Sequence, residues 1–203
     1  MTPPDTFWNW FTQNEPELFE FDPTRETERE LLFDRLATEI HKVHRDLTFE
    51  FSPPGPKRKF VVSAAGIKAA FPDVVRLVNA APALPRWQFT AFRPRRSPIN
   101  LVQIGDMCVD PRKVQFSLLD NGKIAGLHLF IPGYRESDSR FKQIGYLLLD
   151  EALGEYDVET RLGLIEMLSP DTRTEGDRYP LHRLPPLFDQ LVSRLEGRSG
   201  TPS

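Results

Sequence analysis

One cysteine, Cys108, stands in the whole chain. A lone thiol excludes an intramolecular disulfide and a zinc site assembled from several cysteines. Long apolar runs are missing too: no stretch approaches the ~20 residues that a membrane-crossing helix needs. The opening Met1-Thr2-Pro3-Pro4-Asp5 has neither a basic segment nor an apolar one. The expectation is a chain without a signal peptide, working in the cytoplasm and not in a membrane. Glycine is absent where chemistry would use it. There is no G-x-G-x-x-G or Walker A loop to hold a nucleotide, and no G-x-S-x-G elbow to expose a serine. On these grounds no cofactor is expected. An excess of basic charge is also missing. The net charge of −3 argues against a nucleic-acid partner, although a local basic patch is compatible with it.

What is present is the composition of a folded chain. At 203 residues with 39% hydrophobic and 27% charged side chains, the protein is large enough to bury roughly 70% of its unfolded surface. Fifteen phenylalanines point to an aromatic core.

Periodicity places the elements. Phe7, Trp8, Trp10 and Phe11 lie in a short helix over 5–13, capped by Asp5 or Thr6 and ended by Asn14. Asp22-Pro23 reads as the cap and first residue of a long helix with the stripe Leu32, Leu36, Ile40, Val43 and Leu47. Phe49 and Phe51 alternate with polar neighbours as a strand, and 60–64 returns after the Pro53-Pro54-Gly55-Pro56 loop. A helix over 67–80 follows, with Pro72 as a kink or a fresh start. Strands come next at 87–92, 99–104, 114–119 and 124–131, the last pair joined by the hairpin signal Asn121-Gly122. A helix over 139–153 stops at Gly154, a strand covers 162–168, and Leu187, Leu191 and Leu195 mark a final helix. Regular βα alternation is absent from this order. The expected fold class is α+β, a mainly antiparallel sheet with helices packed on one face. It is read as a single domain over 1–196, with a disordered Gly/Ser/Pro tail over 197–203.

The most distinctive polar feature is basic. Between residues 84 and 96 stand Arg86, Arg93, Arg95 and Arg96, and no acid. The planar guanidinium recognises carboxylates or phosphates bidentately, and Pro94 stiffens the loop that presents it. These four are the candidate binding residues, for an acidic protein partner or an anionic small ligand. The competing reading is that they pair internally with the acidic stretch 15–30. No catalytic residue and no metal ligand is assigned. His41 and His44 are three apart on a helix, but no further ligand is tied to them by spacing. Cys108 lies in an apolar strand-like stretch and reads as a small buried residue. Asp150, Glu151, Glu155, Asp157 and Glu159 read as solvated charge, and the aromatic opening as core.

The opening Phe7-Trp8-x-Trp10-Phe11, the strand Phe49-Glu50-Phe51, the run Leu77-Val78-x-Ala80-Ala81-Pro82, and Ala91-Phe92-Arg93-Pro94-Arg95 resemble a widespread bacterial family with no assigned function. The segment Leu149-Asp150-x-x-Leu153-Gly154-Glu155 is similar to its C-terminal part. The resemblance spans about residues 7–190 and implies a bacterial cytoplasmic protein. It carries no catalytic residue across. The sequence therefore points to a non-enzymatic interaction or accessory protein that docks an acidic partner through the arginine-rich loop. Its rival is an enzyme or receptor for a small anionic ligand.

Overall fold

The computed structural model describes residues 2–199, and within them lie seven α-helices and nine β-strands. Contacts gather the chain into two compact units, Met1–Arg93 and Pro94–Ser203, each with a hydrophobic core of its own. Where the sequence reading has one domain over 1–196, the packing thus has two cores.

In the N-terminal unit α1 (Pro3–Gln13) starts earlier than expected, because Thr2 and not Asp5 or Thr6 is the cap. The Thr2 hydroxyl accepts from the Asp5 N–H while the Asp5 carboxylate accepts from the Thr2 N–H, a capping box. A short α2 (Glu15–Glu20), unforeseen in the sequence, precedes α3 (Glu26–His41). Asp22 does not cap α3. Its carboxylate accepts from the Thr24 N–H at 2.9 Å and hydroxyl at 2.7 Å, an Asx turn that keeps Pro23 outside the helix. Leu32, Leu36 and Ile40 are the buried stripe of α3, whereas buried Leu47 lies beyond its end.

Strands β1 (Thr48–Phe51), β2 (Arg58–Ser63) and β3 (Trp87–Ala91) form one sheet in that order. β1 and β2 are antiparallel, but β2 and β3 are parallel. The link between them contains α4 (Phe71–Asn79), whose first turn holds Pro72. The proline starts a helix there and does not kink one running from Ile67, since a first-turn residue needs no intrahelical N–H. Phe7, Trp8 and Phe11 enter the core with Phe60 and Trp87. The Trp8 indole N–H donates to the Leu77 carbonyl at 2.7 Å, so the buried ring leaves no polar atom unpaired.

The C-terminal unit begins with a ribbon of β4 (Val102–Ile104) and β5 (Met107–Val109). β6 (Gln115–Asp120) and β7 (Ala125–Phe130) make the expected hairpin. α5 (Arg140–Leu153) ends at Gly154, whose φ of +81° is one that glycine adopts without strain. α6 (Glu155–Arg161), also unforeseen, leads into β8 (Leu162–Leu168). A two-residue β9 (Tyr179–Pro180) and α7 (Leu184–Ser199) complete the unit. The sheet order is β8-β7-β6-β9, with β7 and β8 parallel. Phe116, Leu127 and Leu129 share their core with Ile144 and Leu148 of α5 and Phe188 of α7.

The α+β class holds, and four of the six strand pairings among the described residues are antiparallel, but the strands form three sheets and two of the pairings are parallel. Two strand–helix–strand links, through α4 and through α5–α6, return the chain to its starting end, and a strand laid down after such a link runs parallel. The tail expected over 197–203 is helical at 197–199; its remainder lies outside the described residues.

Candidate functional site

The four candidate arginines fall in different units, Arg86 and Arg93 in the first, Arg95 and Arg96 in the second. Each holds a carboxylate of its own unit. Arg86 donates to Glu15 at 2.7 Å, lies 3.6 Å from Glu20, and covers the Phe19 ring at 4.0 Å. The Glu15 hydrogen bond raises the Arg86 pKa. Burial pushes the Glu15 carboxyl up, but hydrogen bonds from Arg86 and the Trp87 indole outweigh it and hold the pKa low. Arg93 donates to Glu50 on β1. Arg95 is the most heavily engaged. Its fork meets both Asp189 oxygens at 2.8 and 2.9 Å and Asp157 at 2.7 Å, while Nε donates to the Leu153 carbonyl at the end of α5. Hydrogen bonding to Asp189, then to Asp157, raises its pKa. Arg96 pairs with Glu151 through Nε at 2.9 Å, and its backbone N–H donates to the Glu151 carbonyl.

Pairing with the stretch 15–30 accounts for Arg86 alone; the other three find partners that sequence proximity does not indicate. The acidic residues around the α5–α6 junction are correspondingly not solvated charge. Glu151 and Asp157 receive Arg96 and Arg95, Glu155 is fully buried, and Asp150 and Glu159 are half-buried.

The remaining sequence candidates separate. His41 is the last residue of α3 and exposed, and His44 lies beyond the helix, its Nδ1 accepting from the Asp46 N–H at 3.2 Å. No group of three or more His, Cys, Asp or Glu able to hold a metal occurs among the described residues. Cys108 is exposed and not buried. On the three-residue β5 it points outward while its neighbour Val109 points in. A spacing that was not among the sequence candidates, S-x-x-K at Ser139 and Lys142, does occur at the start of α5 and borders a cleft of about 660 Å³. Both residues are exposed, and the hydrogen bond that joins them runs between backbone groups, from the Lys142 N–H to the Ser139 carbonyl at 3.2 Å, so the lysine side chain does not activate that serine. No helix among the described residues is long and apolar enough to cross a membrane.

Cross-strand register creates one constellation that the sequence conceals. Ser117 on β6 pairs with His128 on β7, which pairs with Glu166 on β8. His128 Nδ1 is 3.4 Å from the Ser117 hydroxyl and Nε2 is 3.0 Å from Glu166. The residue types are those of a hydrolytic triad, but Ser117 is only 1% exposed. A substrate carbonyl has no approach to it, and the row acts as a polar ladder across the sheet.

The second concealed feature is Arg58. It opens β2 in phase with the inward Phe60 and Val62, and it is 1% exposed. Nη1 donates to the Leu18 and Phe19 carbonyls in the last turn of α2, at 3.3 and 2.6 Å, and Nε to the Ser52 carbonyl at 3.3 Å. The guanidinium lies over Phe21 at 3.7 Å, with the Phe51 ring at 5.4 Å. No carboxylate pairs with it, and Nη2 donates to no atom among the described residues. Burial lowers its pKa, yet a guanidinium remains charged. Arg58 borders an open cleft of about 620 Å³ whose walls include Phe21, Phe33, Phe51 and the prolines Pro23, Pro53 and Pro54, together with Arg29, Glu30, Asp34 and Ser52. The available signal was the strand register: carrying the alternation of Phe60 and Val62 two residues back places an arginine on the buried face.

No known protein family, no curated protein and no solved structure matches the chain.

Proposed function

We propose that the protein is a binding protein for a small organic anion, received by the N-terminal unit in the cleft beside Arg58. One observation carries the reading: a buried arginine with no carboxylate partner and an uncommitted Nη2 borders a cleft walled by three phenylalanines. Burying a charge without a counter-ion is costly, and a ligand carboxylate supplies that counter-ion. Small-molecule sites combine an apolar lining with a few fixed polar groups, in volumes of about 300–1,000 Å³. The lining includes no histidine and no cysteine, and the Ser52 hydroxyl is engaged with the Pro53 carbonyl and the Lys59 N–H. Docking of an acidic protein through Arg86, Arg93, Arg95 and Arg96 is the weaker proposal, because a partner's carboxylates must displace those already bound. The resemblance to a bacterial family brings no residue role to either.

The test is calorimetric titration of the full chain with 3-phenylpropanoate and with its uncharged amide. The acid is expected to bind at least about tenfold more tightly, since hydrogen bonds to charged groups are worth about 1.5–3 kcal/mol. Arg58→Met should erase that preference. Arg58→Lys, which keeps the charge but loses the fork, serves as a second variant should the methionine disturb folding, and should retain only part of it. Equal affinities for acid and amide, or a folded Arg58→Met chain that still prefers the acid, would overturn the reading.

A further inference from the structure

The same cleft has two further uncommitted charges. Glu30 and Asp34 lie one turn apart on α3 and both border it. Residues at this spacing share a helix face. Both are exposed, neither side chain has a hydrogen-bond or ion-pair partner among the described residues, and neither pairs with Arg58. Arg29, the other basic residue of the lining, is engaged with the Pro23 carbonyl at 2.8 Å and lies 3.9 Å from Glu26. The cleft therefore presents a buried cationic donor, three aromatic rings, and two carboxylates at the solvent edge, with no net charge over Arg29, Arg58, Glu30 and Asp34. A simple anion would meet repulsion at that edge. A molecule with a negative end, an apolar body and a positive end would complement all three parts.

Building on the anion-binding reading, we propose that the ligand is a small zwitterion with an apolar side chain, a free amino acid or short peptide. Its carboxylate takes Arg58, its side chain lies among Phe21, Phe33 and Phe51, and its ammonium faces Glu30 and Asp34. A phosphate dianion fits less well, because the two carboxylates oppose the extra charge.

The discriminating experiment compares four probes on the full chain by calorimetry: 3-phenylpropanoate, L-phenylalanine, L-alanyl-L-phenylalanine and the N-acetylated dipeptide. One zwitterion should bind about three- to tenfold more tightly than the acetylated dipeptide and than 3-phenylpropanoate. Which of the two does so separates an amino acid from a peptide as the source. In the double variant Glu30→Gln/Asp34→Asn that gap should close to about twofold or less, while 3-phenylpropanoate binds more tightly as two negative charges leave the edge. If 3-phenylpropanoate binds through Arg58 but the zwitterions gain nothing, or the gap survives in the double variant, the zwitterion proposal falls and the anion site stands. If no probe binds, both fall.

Discussion

The Arg58 guanidinium lies 3.7 Å from the centre of the Phe21 ring and caps the last turn of the helix just before it through the Leu18 and Phe19 carbonyls. One buried side chain thereby holds α2, the β1–β2 loop through Ser52, and the aromatic wall of the cleft. Replacing it by Met keeps much of the volume but leaves three carbonyls without their donor. Unsatisfied buried groups cost about 1–3 kcal/mol each, partly offset because a buried charge is also removed. A net loss of about 1–3 kcal/mol is expected from urea unfolding, and a variant as stable as the parent would show that the carbonyls re-pair elsewhere.

Arg95 should be a structural residue of the C-terminal unit. Its partners Asp157, Asp189 and the Leu153 carbonyl belong to α6, α7 and the end of α5. With a third of the side chain still exposed, solvent screening discounts the ion pairs, and Arg95→Ala is expected to cost about 1–2 kcal/mol. Arg95→Lys should recover less than half, because an ammonium cannot span three acceptors in fork geometry. The segment 94–100 should also become more sensitive to limited proteolysis; an alanine variant indistinguishable from the parent in both assays would contradict this role.

Acid stability should depend on Asp138. Its carboxylate accepts from the Arg140 guanidinium and backbone N–H, and the Arg140 side-chain hydrogen bonds lower its pKa from 3.8 to about 2. A carboxylate with a depressed folded-state pKa contributes fully above its unfolded value, and the contribution is lost as pH falls through the folded one. The window thus runs from about pH 4 down to about pH 2. Thermal melts across it should fall less steeply for Asp138→Asn than for the parent, and parallel curves would exclude the contribution.

At Gly145 two effects of opposite sign can be compared. An alanine Cβ there would stand 2.5 Å from Met167 Cε and 2.8 Å from Cγ, and Met167 is only 8% exposed. Overpacking costs about 1–3 kcal/mol, more than the roughly 0.5–1 kcal/mol that alanine gains over glycine in a helix. Gly145→Ala should therefore destabilise. Introduced into a Met167→Ala background it should stabilise, and denaturant midpoints for the four chains of the cycle measure that change of sign.

Much of the local structure is legible in the residues themselves. The Leu32–Leu36–Ile40 stripe, the Asn121-Gly122 hairpin, the strand over 162–168 and the stop at Gly154 all appear where periodicity and turn chemistry place them. The departures are informative. Asp22 has the composition of a helix cap but serves a turn two residues long, because the same carboxylate can satisfy either N–H. α2 and α6 are six and seven residues long, too short for a 3.6-residue period to stand out from noise.

By itself the sequence determined the α+β class, the aromatic core and most element positions, since period, cap and turn residues act over a few neighbours along the chain. Only the tertiary structure decided which charges are spent and which remain open. Arg95 meets carboxylates 62 and 94 positions away, and Arg58 meets a helix end 40 positions away. A run of arginines that reads as a docking surface is thereby consumed within each unit, while Arg58, in the short basic run Lys57-Arg58-Lys59, is left buried without a counter-ion. Charge pairing depends on distance in space, and strand register and helix packing set that distance.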